Sequence, residues 1–250
     1  MSSAQAGGDL ASDIEDLVLA NHILHAEGVV DSFGHVSFRS PERPDRFFMA
    51  RAMAPGLVAA ADIMEFDSEG EPLDRQGRGI YSERFIHSEI YKKRTDVNAI
   101  IHSHSPGVIP FSVTDVPLRA IMAPSAFLHT GVPVFEIRDA NGMTDMLVRD
   151  AKRGKALAES LGESAVALMR GHGDVVVGSD LRIAVSRAVY TEVNARIQMQ
   201  AVMLAAGGRV EYLAAEECAL REGSAAQDKR GSGHGQDRIW EALKSALIDK

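Results

Sequence analysis

The chain has 250 residues, of which 45% are hydrophobic and 25% charged, and its formal net charge is −8. The length fits one large domain, and the composition is that of a soluble globular protein. No basic block stands out, which excludes a nucleic-acid partner, and no apolar stretch reaches the roughly 20 residues of a membrane helix. The single cysteine, Cys218, and an N-terminus without a secretory signal pattern predict a cytoplasmic protein with no membrane partner.

The first part of the chain predicts a helix followed by short strands. Residues 1–8 are expected to form a disordered tail. Ser12 is predicted to cap the first helix, which closes at Gly28. Strands are then predicted at residues 34–40, 46–50 and 62–67.

The middle of the chain alternates between helical and extended patterns. Ser82 is the predicted N-cap of a helix over residues 83–94. A helix that Gly162 ends is predicted over residues 144–161. Between them we expect a buried strand at 97–104, a short helix at 106–113 and a strand at 131–137.

The last part predicts a hairpin and a long helix. Strands at 165–170 and 174–178 flank a turn with His172 at its tip, and a helix runs from Asp180 to Ala206. The polar stretch 221–237 is predicted to be flexible, and a last helix covers 238–249. The pattern predicts an α/β fold with a mixed sheet and helical cover. We expect a main domain over 9–215 and a C-terminal part over 216–250.

Two histidines at the end of a predicted strand are candidates for metal binding. His102 and His104 are one residue apart, so they point to the same face of the strand. Two neutral imidazoles can bind one cation, although the pair also fits polar residues where a strand leaves the core. His172 lies between two glycines, which allow a sharp turn that presents the ring. Glu83 is either a helix-dipole partner, a metal ligand or an acid and base.

Four motifs together resemble the class II aldolase and adducin family over residues 10–215. They are GHVSFR (34–39), YSE (81–83), HSH (102–104) and RGHGDVVVG (170–178). The resemblance implies a three-layer α/β/α sandwich around a mixed, mostly antiparallel sheet, and a homotetramer with active sites between subunits. It also implies one divalent metal ion held by His102, His104 and His172. Glu83 matches the family's acidic residue, which touches the metal or shuttles protons.

Departures from the sugar-phosphate aldolases point to a different substrate. His35 stands where those aldolases have Asn, and MAPG (53–56) replaces their phosphate-binding loop. This variant pattern resembles the family's decarboxylase branch, which acts on hydroxylated aromatic dicarboxylates such as 3-hydroxy-2-methylpyridine-4,5-dicarboxylate or dihydroxyphthalate. Arg51 would then hold a carboxylate through two hydrogen bonds, unless it forms a surface salt bridge. The predicted substrate-binding residues are Arg51, His35 and Ser82.

We therefore expect a metal-dependent carbon–carbon lyase of aromatic compound catabolism. In the favoured hypothesis it decarboxylates a hydroxylated aromatic (di)carboxylate through a metal-stabilised enolate or phenolate, with Glu83 or His35 as the acid. Mn²⁺ is the favoured metal and Zn²⁺ the next, while Fe²⁺ and Co²⁺ also suit the ligands. The alternatives are an aldolase on an unphosphorylated hydroxy-oxo acid, an Fe²⁺ oxygenase and a non-catalytic adducin-like binding module.

Overall fold

A seven-stranded sheet forms the centre of the molecule. The computed structural model describes residues 10–231 and 235–248, so the predicted tail at 1–8 lies outside the described residues. The strands are β1 (His35–Arg39), β2 (Arg46–Ala50), β3 (Ile63–Asp67), β4 (Ala99–Ser103), β5 (Val134–Phe135), β6 (Val166–Met169) and β7 (Gly173–Gly178). Their order is β3-β2-β1-β4-β7-β6-β5. All neighbours are antiparallel except the parallel pair β5 and β6, which confirms the predicted mixed sheet.

Helices cover both faces of this sheet. The α-helices are α1 (Leu10–Ala26), α2 (Arg84–Lys93), α3 (Ile109–Ser112), α4 (Ile137–Asn141), α5 (Ala151–Leu161), α6 (Leu181–Ala205), α7 (Ala215–Gly231) and α8 (Gly235–Ile248). Short 3₁₀ helices lie at Pro55–Leu57, Ala60–Asp62 and Ala123–Thr130. Within the described ranges, no helix has the length and apolar character needed to span a membrane.

The alternation of side chains along β4 divides the interior into two cores. Ala99 and Ile101 pack into one core together with residues of α1 and α6. Ile100, between them, packs into the other core with residues of α2 and α5. Successive side chains of a strand point to opposite faces, so the sheet lies between two helical layers. The predicted three-layer α/β/α sandwich is therefore confirmed.

Two predicted helix starts were wrong. Ser12 lies inside α1, which already includes Leu10, so it is not the cap. At α2 the N-cap position is Glu83 rather than Ser82, and no side-chain hydrogen bond caps the helix there. Ser82 is exposed instead. The carboxylate of Glu83 is unavailable as a cap because it is turned towards buried partners described below.

Two other segments also differ from prediction. The helix predicted over 144–161 begins only at Ala151, because Asp150 caps it by accepting a hydrogen bond from the N–H of Arg153 at 2.9 Å. Most of the segment 221–237, predicted to be flexible, is helical within α7 and α8. Alanine, glutamate, glutamine and arginine in this segment are good helix formers, and their propensity outweighs the scattered glycines. His234 lies outside the described residues.

Candidate active site

Four residues that the sequence singled out converge at the end of the central strand. Glu83, His102, His104 and His172 each offer one potential ligand atom, and these atoms all lie within 4.8 Å of one another. His102 is the last but one residue of β4 and pairs with His35 of β1 on one side. The cluster therefore lies at the end of β4, with Glu83 and His102 buried and His104 and His172 partly buried.

Hydrogen bonds orient two of the imidazoles. The Nδ1 of His102 is 2.9 Å from the backbone oxygen of Asp174, and the Nδ1 of His104 is 3.1 Å from Oδ2 of Asp31. Because both of these oxygens are acceptors, each Nδ1 carries the proton, and the lone pair of each imidazole is on Nε2. Both Nε2 atoms are buried and have no hydrogen-bond partner among the described residues. The sequence did not point to Asp31 or Asp174.

The turn between β6 and β7 presents the third imidazole. Gly171 has a φ of +64°, a conformation that glycine adopts without strain. A side chain at Gly173 would overlap the backbone oxygen of Ser103, so this position also requires glycine. The two glycines therefore allow the turn and bring β7 close to β4. His172 at the tip places its Nε2 3.5 Å from Oε2 of Glu83.

The carboxylate of Glu83 completes the cluster. Its Oε1 accepts a hydrogen bond from the N–H of Val148 at 2.9 Å, and its Oε2 lies 3.8 Å from Nε2 of His102. Burial opposes ionisation of Glu83, but the hydrogen bond to His172, the nearby imidazoles and the Val148 amide lower its pKa to about 2. Burial likewise lowers the pKa of His102 to about 3. Near neutral pH the cluster thus combines a carboxylate with a neutral imidazole.

These donors fit a divalent metal ion. A metal needs neutral imidazole and ionised carboxylate ligands, and the cluster supplies both. Two ligands about 2.1 Å from one tetrahedral ion lie about 3.4 Å apart. The distances of 3.5 and 3.8 Å from Glu83 Oε2 to the two imidazoles are close to this separation. Buried nitrogens left without a partner cost about 1–3 kcal/mol each, which an ion would offset. His102, His104, His172 and Glu83 could therefore hold Zn²⁺, Mn²⁺, Fe²⁺ or Co²⁺.

A cavity of about 530 Å³ adjoins the cluster. It is lined by Phe33, His35, Tyr81, Ser82, Glu83, His104, Leu147, Gly171 and His172. Two of the predicted substrate-binding residues, His35 and Ser82, are thus brought together with the candidate ligands. Tyr81 was not predicted; its hydroxyl donates to the backbone oxygen of Met53. The lining thus combines the apolar side chains of Phe33, Tyr81 and Leu147 with three of the candidate ligands, Glu83, His104 and His172.

Arg51, the third predicted substrate-binding residue, does not line this cavity. Its Nε donates to Oδ1 of Asp62 at 2.7 Å in a partly exposed salt bridge. This pair is the surface alternative that the sequence left open. The two terminal guanidinium nitrogens make no hydrogen bond with any described residue. A contact of Arg51 with a substrate carboxylate stays a prediction.

His35 belongs to a chain of buried hydrogen bonds that the sequence did not reveal. The Nδ1 of His35 is 2.6 Å from Nε2 of His87, and the Nδ1 of His87 is 2.6 Å from the hydroxyl of Ser37. That hydroxyl is in turn 2.8 Å from the hydroxyl of Tyr91. Burial, followed by the charges of neighbouring histidines, lowers the pKa of His35 well below its usual range. His35 is therefore neutral near pH 7.

The fold and the site define an enzyme-like protein with a candidate metal centre beside a small-molecule cavity. The Class II Aldolase and Adducin N-terminal domain matches residues 15–199, and the chain belongs to this family. The resemblance inferred from the four motifs is thereby confirmed.

Similar proteins include decarboxylases. The chain is 42% identical over 198 residues to the decarboxylase tropJ of Talaromyces stipitatus, covering 74% of each chain. It is 28% identical over 214 residues to a 3,4-dihydroxyphthalate decarboxylase of Arthrobacter keyseri, covering 80% of this chain and 82% of that one. An aldolase II superfamily protein from Pseudomonas syringae has the same fold, with a TM-score of 0.78 at 23% identity over 97% of this chain and 94% of the other. The family supports a lyase with a small-molecule substrate.

Proposed function

We propose that this protein is a divalent-metal-dependent decarboxylase of a hydroxylated aromatic carboxylate or dicarboxylate. The observation that carries the proposal is the cluster of three imidazoles and one carboxylate, with ligand atoms within 4.8 Å of one another, beside an apolar cavity. The similarity to tropJ and to a 3,4-dihydroxyphthalate decarboxylase supports this choice of reaction.

The cavity suits a flat ring better than a phosphorylated sugar. Phe33, Tyr81 and Leu147 supply apolar surface, and His35 and Ser82 supply polar groups beside it. Its volume of about 530 Å³ falls within the range of roughly 300–1,000 Å³ that holds small ligands. None of the residues in this lining is a lysine or arginine that could hold a phosphate.

Loss of carbon dioxide leaves an electron pair on a ring carbon. His102, His104 and His172 would hold the divalent ion, which would supply Lewis-acid stabilisation of that negative charge. Glu83 is ionised in the resting site, so its Oε2 can take the proton of the substrate hydroxyl. After the carbon–carbon bond breaks, Glu83 returns this proton to the ring carbon, and the product leaves as a phenolate. Burial of the site strengthens each of these electrostatic interactions.

Finer features of the proposal rest on the same family. We favour Mn²⁺ over Zn²⁺ and a homotetramer in a reducing cytoplasm. Phe33 lines the cavity yet is 71% exposed, which suits a mouth that a neighbouring subunit covers. An aldolase on an unphosphorylated hydroxy-oxo acid is the second candidate, because it would use the same four ligand-type residues.

Product analysis tests the proposal. The purified protein, loaded separately with Mn²⁺ and Zn²⁺, is incubated with carboxyl-labelled 3,4-dihydroxyphthalate and related hydroxylated aromatic carboxylates. Release of labelled carbon dioxide with a matching ring product supports the decarboxylase. Release of an aldehyde or pyruvate-like fragment from hydroxy-oxo acids supports the aldolase instead, and oxygen consumption would indicate an oxygenase. Failure to take up any divalent metal would favour the non-catalytic binding module.

A further inference from the structure

Two polar pairs face each other across the interface between β1 and α2. His35 and Ser37 are two residues apart on the strand, so their side chains lie on one face. His87 and Tyr91 are four residues apart on the helix, so they also share a face. The strand pair and the helix pair interlock into one hydrogen-bonded series: Tyr91, Ser37, His87, His35. All four side chains are buried, between 0% and 5% exposed.

The direction of the hydrogen bonds follows from the residue at the inner end. The Tyr91 hydroxyl has Ser37 as its only hydrogen-bond partner among the described residues, so its proton must go to Ser37. Ser37 then donates to Nδ1 of His87, which accepts. A neutral imidazole that accepts at one nitrogen carries its proton on the other, so Nε2 of His87 donates to Nδ1 of His35. His35 in turn carries its proton on Nε2.

The opposite direction leaves a donor unsatisfied. If His35 donated to His87, Nδ1 of His87 would donate to Ser37, and either the Ser37 proton or the Tyr91 proton would then have no acceptor among the described residues. A buried donor without a partner is unfavourable, because it gives up its hydrogen bonds with water and gains none in the protein. Burial also raises the pKa of Tyr91 well above its usual range, so ionisation does not relieve the problem. The series accordingly begins with Tyr91 as its first donor and runs through Ser37 and His87 to His35.

We propose that His87 is a positioning residue that holds His35 in the tautomer with its proton on Nε2, directed into the cavity. The Nε2 of His35 has no hydrogen-bond partner among the described residues, and His35 lines the cavity beside Tyr81 and His104. The substrate group that meets His35 is then a hydrogen-bond acceptor, either a carboxylate or an ionised hydroxyl. This second statement rests on the proposed function, whereas the tautomer does not.

Packing holds His87 in place and provides a matched control. The ring of Phe47 stacks on His87 with 6.2 Å between centroids and 15° between planes, and it contacts Tyr91 at 5.5 Å. Phe47 makes no side-chain hydrogen bond in the series. Phe47→Leu therefore loosens the packing around His87 but keeps all the polar groups.

The tautomer is measured directly by ¹⁵N NMR of histidine side chains in the full-length, zinc-loaded protein, with the His35 signals assigned from His35→Gln. We expect a protonated Nε2 and an unprotonated Nδ1 for His35 in the wild type and in Phe47→Leu. His87→Leu should abolish this preference, and His87→Gln, which keeps a donor, should restore it in part. The reverse tautomer in the wild type overturns the inference, whether or not the His87 variants fold. An unchanged tautomer in folded His87→Leu also overturns it.

Kinetics tests the substrate contact separately. With a substrate that the wild type decarboxylates, His87→Leu should raise KM at least about tenfold with a smaller change in kcat, and Phe47→Leu should leave KM near the wild-type value. An unchanged KM in His87→Leu overturns the substrate contact. If no aromatic carboxylate reacts, the proposed function fails, while the NMR result still decides the role of His87.

Discussion

Glu83 accepts a hydrogen bond from the backbone N–H of Val148 at 2.9 Å, and this bond ties the start of α2 to the segment that precedes α5. It occupies Oε1 only. The other oxygen, Oε2, is thereby directed at the imidazoles of His102 and His172. Oε1 thus holds the side chain in place, whereas Oε2 faces the imidazoles. A substitution that preserves the hydrogen bond of Oε1 can therefore isolate the role of Oε2.

Glu83→Gln should retain most of the bound metal but lower turnover by about 10²–10⁴-fold, the range for lost acid–base catalysis. The amide oxygen of Gln can still accept from Val148, while its NH₂ group cannot take a proton from substrate. Metal content by mass spectrometry and steady-state kinetics check both parts. If Glu83→Gln loses as much metal as a histidine ligand variant does, Glu83 is a ligand rather than a proton shuttle.

His102→Ala and His172→Ala should each abolish metal binding, since each removes one of three imidazoles that converge within 4.8 Å. Loss of a residue that only hydrogen-bonds to a metal ligand typically lowers metal affinity by about 10–100-fold. We expect these two substitutions to lower metal affinity by more than that. Titration calorimetry with Mn²⁺ and Zn²⁺ measures this loss. The exposed His129 is the control, and His129→Ala should bind metal like the wild type. Unaltered binding in His172→Ala would remove the turn histidine from the site.

The candidate ligands could be predicted because each depends on a local pattern. Alternation along β4 puts His102 and His104 on one side, and the glycines around His172 indicate a turn. The partners of these ligands were not predictable in the same way. His102 donates to the backbone of Asp174, and a backbone oxygen carries no signal in residue identity.

The contact of His87 with β1 has a signal in the sequence, namely the spacing of polar residues on two elements. Its spacing of four from Tyr91 matches a helix, and the spacing of two from His35 to Ser37 matches a strand. Two polar pairs with these periodicities, predicted on buried faces, indicate that the two elements pack polar face to polar face. Which pair meets which depends on the tertiary structure. It places α2 against β1 although Ser37 and His87 are 50 residues apart in sequence.

Asp31→Asn should weaken metal binding by about 10–100-fold, the usual effect of losing the partner of a ligating imidazole. Oδ1 of Asp31 accepts from the N–H groups of Phe33 and Gly34, and Asn can retain those bonds. At the other atom, an NH₂ group replaces the acceptor for Nδ1 of His104. Calorimetric titration compares the two proteins, and circular dichroism verifies the fold. Wild-type affinity in the variant would mean that His104 needs no orientation by Asp31.

Arg51→Ala should raise KM about 10–100-fold with little change in kcat if its guanidinium holds a substrate carboxylate, since hydrogen bonds to charged groups contribute about 1.5–3 kcal/mol. Asp62→Asn is the matched control, because it disrupts the salt bridge but keeps the guanidinium. An unchanged KM in Arg51→Ala excludes Arg51 and leaves His35 and Ser82 as the polar substrate contacts.

His87 should make the metal-free protein sensitive to acid. Burial, followed by the charge of His102, lowers the pKa of His87 to about 3 from the ordinary 6.5. Between these values the unfolded chain binds a proton that the folded chain does not, so stability falls as pH decreases. From about pH 7 to about pH 5, the wild type should lose about 2 kcal/mol more unfolding free energy than His87→Gln. Urea unfolding in the presence of a chelator measures this difference, and equal losses would contradict it.

The positions of His102 and His172 also bear on the stability of the whole chain. They are 70 residues apart in sequence (172 − 102), yet their ring centroids lie 5.0 Å apart. An ion bound to both would close this loop as a covalent cross-link does, and closing a loop of this size restricts the unfolded chain by about 4 kcal/mol in the chain-entropy model. With Cys218 as its single cysteine, the chain has no disulfide to serve that purpose. The ion would therefore stabilise the fold as well as take part in the reaction, and thermal stability would depend on the metal supply.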